Sequence, residues 1–169
     1  MSKDLENQDV TAAPEADVLK NEDGYLAALI GLEKNLASAT KTITLKDVGL
    51  TFCVRALTQD QTNELYRQSA KYVRHPLGPK YPQIEDDTKF DNSKYSSLRI
   101  VAATVDEDKK KLWHSPKIMS HFGIVSADEA WRIVDKVLPY GRKNEIIGVI
   151  DGLSNPEDGV SDNDAAKNS

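Results

Sequence analysis

The chain has 169 residues and a formal net charge of -5, with 39% hydrophobic residues, which suits one domain of ordinary size. Its longest apolar run, Tyr25–Ile30, has six residues, far short of the roughly 20 that span a bilayer, and the first twenty residues are polar and acidic. The single cysteine, Cys53, excludes an internal disulfide and a cysteine-rich zinc site. We therefore expect a soluble cytosolic domain without a transmembrane helix or a secretory signal.

The negative charge sits at the two ends of the chain. Residues 1–23 carry a net charge of -5 and residues 151–169 carry -4, which leaves +4 for residues 24–150. Both ends lack the apolar residues whose burial would offset the entropy of ordering. We expect disordered acidic tails at 1–23 and 154–169, around a single globular domain at 24–153.

The first part of the body predicts a helix, a hairpin and a second helix. Apolar residues spaced i, i+4, i+7 and i+11 predict an amphipathic helix at 24–37. This stripe consists of Tyr25, Leu29, Leu32 and Leu36, with Leu26 and Ile30 beside it. Alternating apolar residues on both sides of a Lys-Asp-Val-Gly turn predict a β-hairpin at 41–56. Thr58 and Gln61 have capping-box spacing, so a helix begins there, and its expected buried side comprises Leu65, Tyr66, Ala70 and Val73.

A proline-rich loop and a third helix follow. Three prolines within seven residues exclude a regular helix or central strand, so 74–92 is predicted to be a long loop. The segment 93–105 is predicted to be an amphipathic helix, with a strand as the alternative because of its β-branched residues. The predicted stripe consists of Tyr95, Leu98, Val101, Ala102 and Val105, with Ile100 off it. A polar turn is expected at 106–111.

The C-terminal part predicts two or three more helices. Pro116 can open a short helix at its first turn. Ser126 and Glu129 form a predicted capping box for a helix that runs until Pro139, with Tyr140-Gly141 as the turn that follows. A last helix is lined by Ile146, Ile147 and Ile150 and closed by Gly152. The whole is predicted to be a mainly α (α+β) fold, an N-terminal β-hairpin followed by a compact bundle of four to five short helices.

The residue types that carry chemistry form no catalytic pattern. His114 and His121 are seven apart, about 10.5 Å along a continuous helix, too far for one metal ion. Cys53 lies in a predicted strand opposite Phe52 and is interpreted as an inert thiol. The acidic clusters 85–87 and 106–108 do not match a calcium loop and are interpreted as solvated charge. We expect no enzyme, no catalytic residue, no cofactor and no metal site.

The most unusual segment is the aromatic one between 112 and 142. Trp113, Phe122 and Trp131 are three of the five Trp and Phe residues in the chain. They indicate either core packing of a helix pair or an apolar groove that receives a partner, since Trp is enriched at binding hot spots. The candidate partner-binding residues are Trp113, Phe122, Ile124, Trp131, Leu138 and Tyr140.

Several short blocks in this order resemble the XkdN-like tail assembly chaperones of long-tailed phages and prophages. The blocks are Phe52 to Thr58, Ile100 to Asp106, Ser115 to Lys117, Phe122 to Ile124, Ala127 to Ala130 and Val137 to Arg142. The resemblance covers about 100 of the 169 residues. The chain departs from the family where Tyr140 is inserted and Arg142 replaces an acid, and in its proline-rich loop.

The resemblance implies binding without turnover. A tail assembly chaperone binds the long, hydrophobic, helical tape measure protein and keeps it soluble while the tail forms. It works in the host bacterial cytoplasm and is absent from the mature virion. The tail tube protein and a frameshifted longer form of the chain are further partners that the resemblance implies, with no nucleic acid and no membrane.

Two alternatives remain open at this stage, besides an unrecognised enzyme. The chain could be a structural component of the phage tail or of the head-tail connector. It could also be a small DNA-binding regulator, since the helices around Pro139-Tyr140-Gly141 imitate a helix-turn-helix and Arg142, Lys143 and Asn144 begin the second helix. Its lysines are otherwise scattered, which is not typical of a nucleic-acid footprint.

Overall fold

A computed structural model of the chain describes residues 21–154, which fall into two compact units divided after Ser38. The described part of the first unit is one helix, α1 (Glu22–Ser38). Asn21 caps it, because its side-chain Oδ1 accepts a hydrogen bond from the Gly24 N–H at 2.7 Å. The helix predicted at 24–37 is confirmed and begins two residues earlier. The predicted tails lie almost wholly outside the described residues, at 1–20 and 155–169.

The second unit opens with the predicted hairpin. Strands β1 (Thr40–Leu45) and β2 (Leu50–Arg55) pair antiparallel, with Ile43 opposite Phe52. Both of these side chains are buried, whereas Cys53 points to the other face and is half-buried. Gly49 ends the turn with a φ of 66°, which favours glycine. The alternation of apolar residues therefore predicted both the strands and their inner face correctly.

Helix α2 (Gln59–Ser69) begins at the predicted capping box. Thr58 Oγ1 accepts from the Gln61 N–H at 3.2 Å, and Gln61 Oε1 accepts from the Thr58 N–H at 3.0 Å. The expected buried side is wrong in part, because the helix ends at Ser69 and Tyr66 is 40% exposed. Val73 belongs to a short strand beyond the helix.

The proline-rich segment is mainly irregular, as predicted, but it holds a short strand and a 3-10 turn. The strand, β4 (Ile84–Glu85), pairs antiparallel with β3 (Tyr72–Val73), which lies just before the segment. A 3-10 turn at Asp87–Lys89 follows, capped by Asp86. An aromatic contact then joins the loop to α2, with the rings of Tyr66 and Phe90 stacked at 4.6 Å.

Helix α3 (Asn92–Ala103) is the centre of the second unit and packs against α2, β2 and the last two helices. The helix is confirmed over its strand alternative, but the predicted stripe is wrong in part, since Leu98 is buried as expected while other members are not. Ile100 is fully buried, whereas Val101 and Ala102 are only half-buried. Because other elements pack on several sides of α3, its buried residues differ from the predicted stripe and are Ser97, Leu98, Ile100 and Ala103.

The expected polar turn at 106–111 is a helix, α4 (Asp106–Lys111). Three acids occupy its first turn and three lysines its last, which is the order that the helix dipole favours. Asp108 also accepts a hydrogen bond from the Cys53 N–H at 2.6 Å, and the Val105 N–H donates to the Cys53 carbonyl at 2.9 Å. The segment from Val105 to Asp108 therefore covers the free edge of β2.

Helix α5 (Pro116–His121) begins at proline, as predicted. The predicted capping box at Ser126 is wrong, because Ser126 Oγ accepts from the Asp128 N–H and opens a 3-10 turn at Ala127–Glu129. Helix α6 (Trp131–Val137) follows this turn. The helix predicted to run without a break to Pro139 is thus divided in two.

Helix α7 (Tyr140–Ser154) begins directly after Pro139. Tyr140 and Gly141 form its first turn, so the turn predicted at these residues is wrong. Gly152 lies inside the helix and does not close it. Among its expected lining residues, Ile146 and Ile150 are buried and Ile147 is half-buried.

The fold is mainly α with a small β-hairpin sheet, as predicted, and seven α-helices occur within residues 21–154. The core of the second unit joins the hairpin to α3, α6 and α7. Its largest fully buried side chains are Trp113, Phe52, Ile100, Ile133 and Ile150. Within the described residues, no helix is long and apolar enough to cross a membrane.

Candidate partner-binding groove

An apolar groove of about 360 Å³ lies on the second unit, where the tip of the hairpin meets α5 and α6. The hairpin, the segment just before α5, α5 and α6 each contribute residues to its lining. The lining residues are Leu45, Val48, Leu50, Leu112, Trp113, Ile118, Phe122, Ile133, Val137 and Leu138. A cavity of this size, lined only by aliphatic and aromatic side chains, suits an apolar ligand or side chains of a partner segment.

The floor of the groove is fixed by core packing. Trp113 is 1% exposed and meets Phe52 edge to face, with ring centroids 5.7 Å apart. Its indole Nε1 donates to Thr104 Oγ1 at 2.9 Å, and Thr104 Oγ1 donates to the Ile100 carbonyl at 2.7 Å. The indole is therefore held on its polar and apolar sides, which gives the groove a rigid base.

One wall is shaped by the way α5 ends. The Gly123 N–H donates to the Ser120 carbonyl at 3.1 Å, and the Ile124 N–H donates to the Met119 carbonyl at 2.9 Å. With Gly123 at a φ of 69°, this is a Schellman motif. Because the chain reverses here, Phe122 remains half-buried on the groove, while Ile124 turns into the core.

The opposite wall is the hairpin tip, which an ion pair ties to α7. Arg142 donates to Asp47 Oδ2 at 2.9 Å. The next residue, Val48, is 68% exposed, and Val137 of α6, which also lines the groove, is 42% exposed. Two valines thus stand at the rim, above a floor that is almost completely buried.

One lysine lies close to the groove. Lys136 is exposed, and its Nζ is 5.9 Å from the centroid of the Phe122 ring. A positive charge therefore stands beside an aromatic side chain of the groove lining.

The six predicted partner-binding residues are not brought together as one set. Trp113, Phe122 and Leu138 line the groove. Ile124 is buried, Trp131 lies at a different cavity, and Tyr140 is 75% exposed. The prediction missed the hairpin, although an apolar Val48 within a polar turn was a sequence signal for it.

A second cavity of about 490 Å³ lies between α2, α3 and α4. Its lining includes Trp131 together with Lys109, His114 and Asp128. Burial, together with the positive charge of Lys109, lowers the pKa of the His114 imidazole, against an opposing effect of Asp128. An apolar partner would have to remove water from these charged groups, so this larger cavity suits it less well than the groove.

A polar cluster lies away from both cavities, between α3, α6 and α7. The Lys143 ammonium donates to Asp135 Oδ1 at 2.7 Å, to Ser93 Oγ at 2.6 Å and to Ser97 Oγ at 3.3 Å. Partial burial opposes ionisation of Asp135, but the hydrogen bonds from Lys143 and Ser93 and the lysine charge outweigh it and lower the pKa of the carboxyl. The Lys143 side chain is only 3% exposed, so this cluster contributes to the packing of the three helices and not to a binding surface.

The two acidic clusters have local structural roles. Glu85 accepts from the Tyr66 hydroxyl at 2.9 Å, and Asp86 pairs with Lys89 at 3.0 Å. Asp106 lies 3.7 Å from Lys109, and Asp108 covers β2 as described above. The interpretation of these residues as solvated charge is therefore incomplete. Among residues 21–154, no group of three or more His, Cys, Asp or Glu side chains is placed to hold a metal ion.

Comparisons of the chain with protein-family models, with curated proteins and with solved structures find no match.

Proposed function

We propose that the chain is a non-catalytic phage tail assembly chaperone, which binds hydrophobic helical segments of the tape measure protein during tail formation. The observation that carries the proposal is the groove, with Val48 and Val137 exposed above a rigid floor. The sequence resemblance described above supplies the identity of the partner. On this proposal the chain acts in the host cytoplasm and is released before the virion is complete.

The geometry supports binding of a helix in the groove. An amphipathic helix presents apolar side chains at i, i+3, i+4 and i+7, and such a row can follow an apolar channel. The exposed valines would lose their water on binding, whereas the floor already has its final packing. Binding therefore requires little reorganisation of the protein, which favours affinity.

The test is coexpression of the full chain with the tape measure protein, followed by measurement of that protein's soluble yield and of the complex. The proposal predicts a higher soluble yield and a stable complex. Val48→Asp is expected to weaken the complex about tenfold or more, because burial of a valine contributes roughly 1.5–3 kcal/mol and a charge would also lose water.

Val125→Asp is the matched control. Val125 is 94% exposed and does not line the groove, so the same change there should leave binding as in the wild type. Equal binding by the two variants would remove the groove from the proposal. An unchanged soluble yield with the wild-type chain would contradict the chaperone function itself.

The alternative functions make different predictions. A structural tail or connector component would be found in purified mature virions, where a chaperone is not expected. A DNA-binding regulator would need free cations at the start of α7, but Arg142 is paired with Asp47 and Lys143 is buried against Asp135. This geometry gives the regulator no support.

A further inference from the structure

Helix α1 carries an apolar stripe that a single helix cannot bury. Tyr25, Leu29, Leu32 and Leu36 follow one another at spacings of four, three and four residues, the repeat of a two-helix coiled coil. The first three are 55%, 63% and 65% exposed. Among the residues that the structure describes, α1 is the whole of its unit, and a helix of 17 residues is only marginally stable in water unless its apolar face is packed, the more so with Gly31 inside it.

The stripe complements itself. Its spacing of four, three and four reads the same in both chain directions. In an antiparallel pair whose two-fold axis crosses the stripe midway between Leu29 and Leu32, Tyr25 of one copy lies opposite Leu36 of the other, and Leu29 opposite Leu32. The same patch then serves both copies, which is the requirement for a closed two-fold interface.

The charge distribution favours the antiparallel orientation over the parallel one. Glu22 and Asp23 begin α1, and residues 1–23 together carry a net charge of -5. A parallel pair would place Glu22 and Asp23 of the two copies side by side. In an antiparallel pair the helix starts are about 25 Å apart, from a rise of 1.5 Å per residue, which is well beyond the screening length of about 8 Å.

We propose that α1 is a self-association helix, whose stripe packs antiparallel against the same stripe of a second copy of this chain. None of the four stripe residues lines the groove on the second unit. Polar residues on the far side of α1, such as Lys34, remain in water in this pair.

The first test is the mass of the full chain in solution, measured by light scattering after size-exclusion chromatography over a hundredfold range of concentration. The mass is expected to rise with concentration toward twice the monomer value of 18.7 kDa. The double variant Leu29→Gln with Leu32→Gln should remain a monomer. Glutamine has a high helix propensity, so these substitutions remove the apolar contacts of the stripe while the tendency to form the helix is retained.

Ile30→Gln is the matched control. Ile30 is 40% exposed but lies about 130° around the helix from the centre of the stripe, at 100° per residue. This variant should dimerise like the wild type. A wild-type chain that stays monomeric throughout, or a double variant that still dimerises, would overturn the proposal, the second because it would place the interface elsewhere.

The orientation is tested by spin labels at Glu22→Cys in a Cys53→Ser background, with the distance measured by pulsed electron paramagnetic resonance. The antiparallel pair predicts about 25 Å or more between the labelled positions. A separation near 10 Å, the distance between packed helix axes, would show a parallel pair and refute the arrangement proposed.

Discussion

Asp135→Asn is expected to destabilise the protein more than Lys143→Met, although both changes remove the same ion pair. The Lys143 side chain is 3% exposed, so without the carboxylate its positive charge stays buried with only neutral partners. The Asp135 side chain is 37% exposed, so without the ammonium its charge can still be hydrated. The cost of the broken pair depends on which charge is left behind.

The magnitudes follow from this difference in exposure. Leaving an uncompensated buried charge costs about 3–5 kcal/mol, which we expect for Asp135→Asn. For Lys143→Met the hydrated carboxylate and the retained packing volume reduce the loss to about 1–2 kcal/mol, near that of a broken hydrogen bond. The free energy of unfolding of a domain of this size is about 5–15 kcal/mol, so both losses of stability are large enough to measure.

The assay is urea unfolding at neutral pH, followed by tryptophan fluorescence, because Trp113 and Trp131 lie in the second unit. The midpoint should fall more for Asp135→Asn than for Lys143→Met, with equal slopes. The double variant Asp135→Leu with Lys143→Met should recover much of the loss, since apolar residues replace a buried pair at little cost. Equal losses, or a larger loss for Lys143→Met, would refute the reasoning.

The same pair sets part of the acid dependence of stability. Because the folded-state pKa of Asp135 lies below its ordinary value of 3.8, its contribution is complete above that pH and is lost as the pH falls through the folded-state pKa. The wild type should therefore lose stability in this acid range. In Asp135→Asn this part of the pH dependence should be absent.

Two further substitutions test the framework of the groove, each by urea unfolding beside a control. Thr104→Val should cost about 1–3 kcal/mol, because it leaves the buried Trp113 N–H without an acceptor, whereas Thr104→Ser should cost less. Gly123→Ala should cost about 1–2 kcal/mol at its φ of 69°, whereas Gly141→Ala, inside α7 with no atom within 4 Å of the added Cβ, should be neutral or stabilising. Equal effects of the two alanines would contradict the backbone argument.

Some of the signals that depend on residues close in the chain predicted the structure correctly, whereas those at Ser126, at Tyr140-Gly141 and at Gly152 did not. The capping box of Thr58 and Gln61 and the alternation in the hairpin both act over a few residues, and both are present in the structure. Pro116 likewise opens a helix because its fixed φ suits the first turn. The mainly α fold with one hairpin followed from these local signals.

The failures have two physical causes. At Asp106–Lys111 a local signal for a helix was present but was interpreted as a polar turn. Three acids followed by three lysines are typical of a solvated turn, but this order of charges also stabilises a helix through its dipole. At Ile100 no local signal could suffice, because its burial depends on α6 and α7 packing around α3. The hairpin side of the groove was missed because its one local signal, the apolar Val48 in a polar turn, does not reveal that the hairpin tip lines the same groove as α5 and α6.

The exposure of Val48 and Val137 bears on whether these residues serve the folding of the protein or the binding of a partner. The turn at the hairpin tip requires Gly49 for its positive φ, but a polar residue at position 48 would suit the turn at least as well as valine. Val48 is 68% exposed and contributes little burial to the unbound protein, whereas Val137, at 42% exposure, is already more than half buried. An exposed apolar residue on the edge of an apolar groove is typical of a surface that a partner covers. Since folding does not require valine at position 48, its presence there favours a partner that covers the groove.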